Sequence, residues 1–178
     1  QPASGGVKYA VPAPPIPSLP VAGTDLRYPV RRIYCVGRNY LAHVREMGND
    51  ERLPPLFFAK APDMIVETGS TIPYPIFTQN YHHEIELVVA MKSGGTNIPA
   101  EKALDHVYGY AVGLDMTRRD VQQAAAKAGR PWEVGKSFDK SAPCGDIYPA
   151  SAVGHITSGK IELAVSGNVK QSSDINLM

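Results

Sequence analysis

Sixteen prolines and sixteen glycines cut this 178-residue chain into stretches too short for a helical bundle. A proline inside a helix removes a backbone donor and clashes with the turn before it, and an interior glycine costs conformational entropy. The apolar residues between these breaks fall in runs at 33–36, 54–60, 81–90, 108–116 and 161–166. Such short runs, bounded by turn residues, read as strands. The class expected is α+β, mainly β, with a few short helices. Helical composition is confined to 41–47, 101–107 and 117–127, the last opening on a Thr117-x-x-Asp120 capping box and stopping at Gly129. Gly167-Asn168, between two strand-like runs, reads as a two-residue hairpin turn. The first 27 residues hold Pro12, Pro14, Pro15, Pro17 and Pro20 and read as an extended arm, with 28–178 as the domain proper.

The run Tyr81-His82-His83-Glu84-Ile85-Glu86-Leu87-Val88-Val89-Ala90 turns from polar to apolar along its length. Side chains alternate along a strand, so Glu84 and Glu86 share a face, with Cα atoms roughly 6.5 to 7 Å apart. Two carboxylates so placed repel, and water, a proton or a cation relieves the repulsion. In water they are ordinary surface acids. At the entrance to a core they suit a hard cation, Mg²⁺, Mn²⁺ or Ca²⁺ before zinc. Asp115 ends another apolar run, either as a further oxygen ligand or as a helix-cap acid. His43 and Glu46 stand three apart on one helix face. They are either a plain surface pair or an imidazole whose tautomer a carboxylate holds, as a general base requires. Lys60 ends a strand and reads first as solvated, with a site-facing lysine as the alternative. Lys136 lies in a loop near the only tryptophan, Trp132, either in water or as the counter-charge of a carboxylate or enolate.

Net charge is +1, so charge offers no argument for nucleic acid or a membrane surface as partner. Two distant cysteines, Cys35 and Cys144, make no disulfide framework and fit a cytoplasmic setting. No glycine-rich phosphate loop, GxSxG elbow or Cys/His zinc pattern occurs in the sequence.

Taken in order, these pieces resemble the fumarylacetoacetate hydrolase family over about residues 30–178. Cys35-Val36-Gly37-Arg38-Asn39-Tyr40, followed by His43 and Glu46, is similar to its opening motif, and His83-Glu84-Ile85-Glu86-Leu87 to its glutamate pair. Gly113-Leu114-Asp115-Met116-Thr117-Arg118-Arg119-Asp120-Val121-Gln122 looks like its third block. Arg130-Pro131-Trp132-Glu133, then Lys136-Ser137-Phe138-Asp139 and Ala142-Pro143, looks like its fourth, in the version of the acylpyruvate and fumarylpyruvate hydrolases.

The resemblance implies a mixed β-sandwich or roll, usually dimeric, around a metal site. It implies Glu84, Glu86 and Asp115 as carboxylate ligands of Mg²⁺ or Mn²⁺, with Ca²⁺ as the alternative. His43 and Glu46 match the water-activating pair on a short lid helix, and Lys136 the lysine facing the substrate. Arg38, Arg119 and Gln122 match substrate-contacting positions. The reaction implied is hydrolysis of the carbon–carbon bond of a 2,4-diketo acid, fumarylpyruvate first among them. Oxaloacetate decarboxylation or enol-acid isomerisation is the alternative on the same site, and an inactive binding or assembly protein the alternative of another class. The family pattern also implies a continuation past Met178 that carries a Gly-Thr-Pro loop and further strands of the roll.

Overall fold

The computed structural model describes residues 7–37, 39 and 54–178. Its strands, numbered in chain order, are β1 (Ser18–Pro20), β2 (Arg27–Pro29), β3 (Ile33–Gly37), β4 (Leu56–Lys60), β5 (Ile65–Glu67), β6 (Tyr81–His82), β7 (Ile85–Met91), β8 (Val107–Leu114), β9 (Thr117–Arg118), β10 (Ala142–Cys144), β11 (Tyr148–Pro149), β12 (Lys160–Val165) and β13 (Asn168–Asp174). The helices are α1 (Arg119–Lys127), α2 (Glu133–Lys136) and α3 (Ala150–Val153). The α+β, mainly β class expected from the proline and glycine spacing is the one adopted. The stretch 101–107 forms a 3₁₀ helix, Ala100–His106. The expected helix 41–47 lies outside the described residues.

Strand β8 organises the largest sheet. It pairs antiparallel with β7 along one edge, from Ile85↔Leu114 to Met91↔Val107. Its other edge takes β10 and β11, and β10 in turn pairs parallel with β5. Glycine in β8 permits this crowding. A Cβ on Gly109 would stand 2.2 Å from Tyr148 O, inside any contact a real methyl could make. The core beside this sheet gathers Leu19, Val30, Ala90, Ala111, Cys144 and Ile147. A second cluster joins Ile85 of β7 to Ile161 and Leu163 of β12.

The boundary after residue 27 does not survive in the structure. It cuts through β2, between Arg27 and Tyr28, and β2 pairs antiparallel with β1 as Ser18↔Pro29 to Pro20↔Arg27. Val21 bridges Ile147 in parallel, and Leu19 and Val21 are both 3% exposed. Burying two such side chains stabilises the fold by roughly 1.5 to 3 kcal/mol each, so the stretch 18–30 is anchored in the core through Leu19, Val21 and Val30. Proline at Pro17 and Pro20 forbids helix but is compatible with a short edge strand.

Three local expectations shift for physical reasons. The run 81–90 breaks after His82: β6 pairs with β9, as Tyr81↔Arg118 and His82↔Thr117, and β7 starts at Ile85. The Thr117-x-x-Asp120 box is not made, because the N-cap is Arg118 and no side chain bonds to it. Asp120 instead accepts from Gln79 N and Thr78 Oγ1, tying the loop before β6 to the start of α1. The hairpin turn falls one residue earlier than expected, on Ser166 and Gly167, with Val165↔Asn168 the closing pair. Both turn residues have positive φ, 50° and 78°, as a right-twisted two-residue hairpin requires.

Candidate functional site

The register of β7 on β8 builds the site. Ile85↔Leu114 is the last strand pair, and Asp115 N donates to Glu84 O at 2.8 Å just beyond it. Asp115 is thereby set against Glu84. Glu86 follows two residues later, paired with Gly113.

Helix α2 delivers Lys136 to these acids. It can lie close on α1 because its third residue is Gly135, where a Cβ would come within 2.8 Å of Gln122 N. Lys136 is 2% exposed and uses all three of its N–H bonds. They go to Asp115 Oδ2 at 2.6 Å, Glu84 Oε2 at 2.8 Å and Thr117 Oγ1 at 2.8 Å. Thr117, fully buried, donates its own proton to Asp115 O at 3.1 Å. From the first residue of α1, Arg119 reaches back with Nη2 to Glu84 Oε1 and with Nη1 to Gln122 Oε1 at 3.2 Å.

A second buried lysine completes the cluster. Lys60, at the end of β4, is 3% exposed, and its solvated reading is overturned. Its Nζ donates to Met116 O at 3.1 Å and to Lys136 O, and stands 2.9 Å from Asp115 Oδ1. That last contact is an ion pair by distance without hydrogen-bond alignment, since Asp115 Oδ1 has no hydrogen-bonding donor. The sequence carried a signal for this burial: Phe58 and Lys60 are two apart on a strand, hence on one face, and Phe58 is buried.

The three carboxylates are not equivalent. Burial acts to raise the pKa of Glu84, but Lys136 and Arg119 overcome it and hold Glu84 below its usual value. Burial outweighs Lys60 and Lys136 at Asp115 and raises it. Glu86 is pushed up to about 8 by burial, then by the negative charges of Glu84 and Asp115. It lines a cavity of about 310 Å³, with Lys60, Cys35 and Asp115 on the polar side and Val30, Val88 and Ile147 among the apolar walls.

The donor set suits a hard divalent cation: three carboxylates gathered where β7 meets β8, two of them raised above their usual pKa chiefly by burial, Glu86 further by its acidic neighbours. Among the described residues, no three His, Cys, Asp or Glu side chains stand together as a ready ligand cage. Lys60 and Lys136 supply positive charge to the two oxygens of Asp115.

Of the residues singled out in the sequence, the structure brings Glu84, Asp115, Lys136, Arg119 and Gln122 into one bonded network, with Glu86 beside it. Arg38, His43 and Glu46 lie outside the described residues. Sequence reasoning assigned no site role to Thr117, whose position before a helix favoured a cap. Among the described residues no helix is long and apolar enough to cross a membrane.

Comparison with known proteins bears on the fold and the family. The family described as Fumarylacetoacetate (FAA) hydrolase C-terminal matches residues 32–178. A fumarylpyruvate hydrolase from Pseudomonas aeruginosa, solved in complex with Mn²⁺ and pyruvate, is 56% identical with a TM-score of 0.90, over 96% of this chain and 76% of that one. The fumarylpyruvate hydrolase of Ralstonia sp is 44% identical over 120 residues, 67% of this chain and 62% of that protein. Human mitochondrial oxaloacetate tautomerase is 40% identical over 148 residues, 83% of this chain and 67% of that protein. The match thus spans under two thirds of the Ralstonia protein's length. The chain belongs to the fumarylacetoacetate hydrolase family.

Proposed function

We propose that this fumarylacetoacetate hydrolase family member hydrolyses the carbon–carbon bond of a 2,4-diketo acid, converting fumarylpyruvate to fumarate and pyruvate. The observation that carries the reading is the likeness, over 96% of this chain, to a fumarylpyruvate hydrolase solved with Mn²⁺ and pyruvate. The buried cluster supports it chemically. Glu84, Glu86 and Asp115 are the residues that would hold Mg²⁺ or Mn²⁺. When bound, the cation supplies Lewis acidity toward the substrate's carboxylate and 2-oxo oxygens.

The chain's own residues divide the remaining work. Arg119 exchanges Glu84 for a substrate carboxylate, a bidentate task suited to guanidinium, and Gln122 braces it. Arg38 adds a further substrate contact. His43, its tautomer held by Glu46, takes a proton from water, and the oxygen bonds to the distal carbonyl carbon. The bond from that carbon to its neighbour toward pyruvate then breaks, and its electron pair becomes pyruvate enolate. Lys136, aimed at the carboxylates by two hydrogen bonds and steadied by a third to the Thr117 hydroxyl, faces that charge. A proton on the enolate carbon gives pyruvate, and the acyl half leaves as fumarate. We take the working unit to be a cytoplasmic homodimer.

A second reading, tautomerisation or decarboxylation of oxaloacetate, draws on the likeness to the human tautomerase. Neither reaction needs an attacking water. The test is to follow fumarylpyruvate and oxaloacetate side by side with Mn²⁺, in wild type and in His43→Ala. Hydrolysis is expected to be the faster reaction and to vanish in His43→Ala. Full-rate hydrolysis in that variant would overturn the role of His43. Turnover of oxaloacetate alone would favour the second reading. If the protein takes up no metal and converts neither substrate, the enzyme reading fails.

A further inference from the structure

We propose that Lys60 is a positioning residue that restricts Asp115 to one metal-facing oxygen and so sets the site against Ca²⁺. The inference rests on the metal reading above and goes beyond it, from which residues hold a cation to which cation they accept.

The two oxygens of Asp115 are divided between two ammonium groups. Oδ1 lies 2.9 Å from Lys60 Nζ, and Oδ2 accepts from Lys136 Nζ at 2.6 Å. The two lysines are anchored differently. Lys136 is held entirely by side chains: Glu84, Asp115 and Thr117. A cation arriving at Glu84 and Asp115 would satisfy the same carboxylates, so Lys136 can yield to it. Lys60 is held by two main-chain carbonyls, Met116 O and Lys136 O. No cation at the carboxylates would satisfy those carbonyls, and withdrawing the ammonium would leave them buried without a donor. Both ammonium groups also lie near an aromatic ring, Lys60 5.7 Å from the centre of Phe138 and Lys136 5.0 Å from that of Phe58, so the main-chain carbonyls are what set Lys60 apart.

Lys60 therefore stays while Lys136 gives way, and a cation reaches Oδ2 while a fixed positive charge guards Oδ1. Calcium takes six to eight oxygens and commonly both oxygens of one carboxylate, whereas magnesium and manganese take single oxygens in an octahedron. Loss of Oδ1 costs Ca²⁺ a donor and costs Mn²⁺ none.

The experiment compares Mn²⁺ and Ca²⁺ affinities of the metal-stripped protein, by titration calorimetry and by Ca²⁺ displacement of Mn²⁺ in its paramagnetic resonance spectrum. Wild type is expected to bind Mn²⁺ more than about tenfold tighter than Ca²⁺. Lys60→Met should narrow that ratio by about tenfold, and Lys60→Arg, which keeps the charge, should preserve it. A purely structural role for Lys60 would weaken both ions alike and leave the ratio unmoved; that result in folded Lys60→Met overturns the proposal. Should Lys60→Met not fold, equal affinities for the two ions in wild type overturn it as well. A wild type that binds neither ion defeats the metal reading itself, a separate outcome.

Discussion

Replacing Lys136 with methionine tests the electrostatic core of the site without changing its volume greatly. The ammonium has three partners, of which Asp115 and Thr117 are buried, and Asp115 and Glu84 both lean on it. Removing one member of a buried ion pair costs about 3 to 5 kcal/mol, because the partner is left charged and unpaired. Two features put this case at the lower end. Lys60 remains 2.9 Å from Asp115, and Arg119 remains on Glu84. Glu84 is also 22% exposed on its side chain, so water recovers part of the loss. The expected cost is about 3 kcal/mol. Unfolding entropy of about 2.1 cal/mol/K per residue over 178 residues is roughly 0.37 kcal/mol/K, so the melting point should fall by about 8 °C. Circular dichroism melts in EDTA at neutral pH read this directly. Adding Asp115→Asn to form a double-mutant cycle should reveal coupling of at least about 1 kcal/mol, because each change removes the other's partner. A melting point within about 2 °C of wild type, or strict additivity in the cycle, would refute the reasoning.

Other consequences follow from the packing. Gly135→Ala forces α2 away from Gln122, and a displacement of about 1 Å at Lys136 should lower kcat roughly 100-fold, measured by fumarylpyruvate turnover. Leu19→Ala should destabilise by about 2.7 to 5 kcal/mol in urea titration if the stretch 18–30 is anchored in the core; a loss below about 1 kcal/mol would return it to a surface arm. Hydrogen bonds from Gln79 N and Thr78 Oγ1 hold the Asp120 carboxyl below its usual 3.8. Its stabilisation is therefore present above that value and lost as pH falls through the lower folded one, so the gap in melting point between wild type and Asp120→Asn should close as pH is taken below the usual 3.8.

Much of the fold could be read from the chain because its determinants are local. Proline and glycine spacing excludes long helices whatever the tertiary context, and a hairpin signal needs only a few neighbouring residues. The members of the bonded network, Glu84, Asp115, Arg119, Gln122 and Lys136, were likewise singled out in the sequence, because ordered blocks of residues mark the family independently of conformation. Where the local reading failed, a distant segment had decided. Thr117 favours a helix cap by sequence, yet buried Lys136 claims its hydroxyl. Pro17 and Pro20 suggest a loose arm, yet Ile147 offers Leu19 and Val21 a core to enter.

The sequence by itself thus determined the class of elements, the breaks between them and the chemical types available at the site. Only the tertiary structure decided which charges meet. The β7–β8 register sets Glu84 against Asp115, and the closeness of α2 to α1 at Gly135 brings Lys136 between them. The burial of Lys60 depends on Met116 and Lys136 offering their carbonyls from 56 and 76 residues away. A charge is tolerable in a low-dielectric interior only beside its partners, and those partners are assembled by long-range packing that no local stretch of the chain contains.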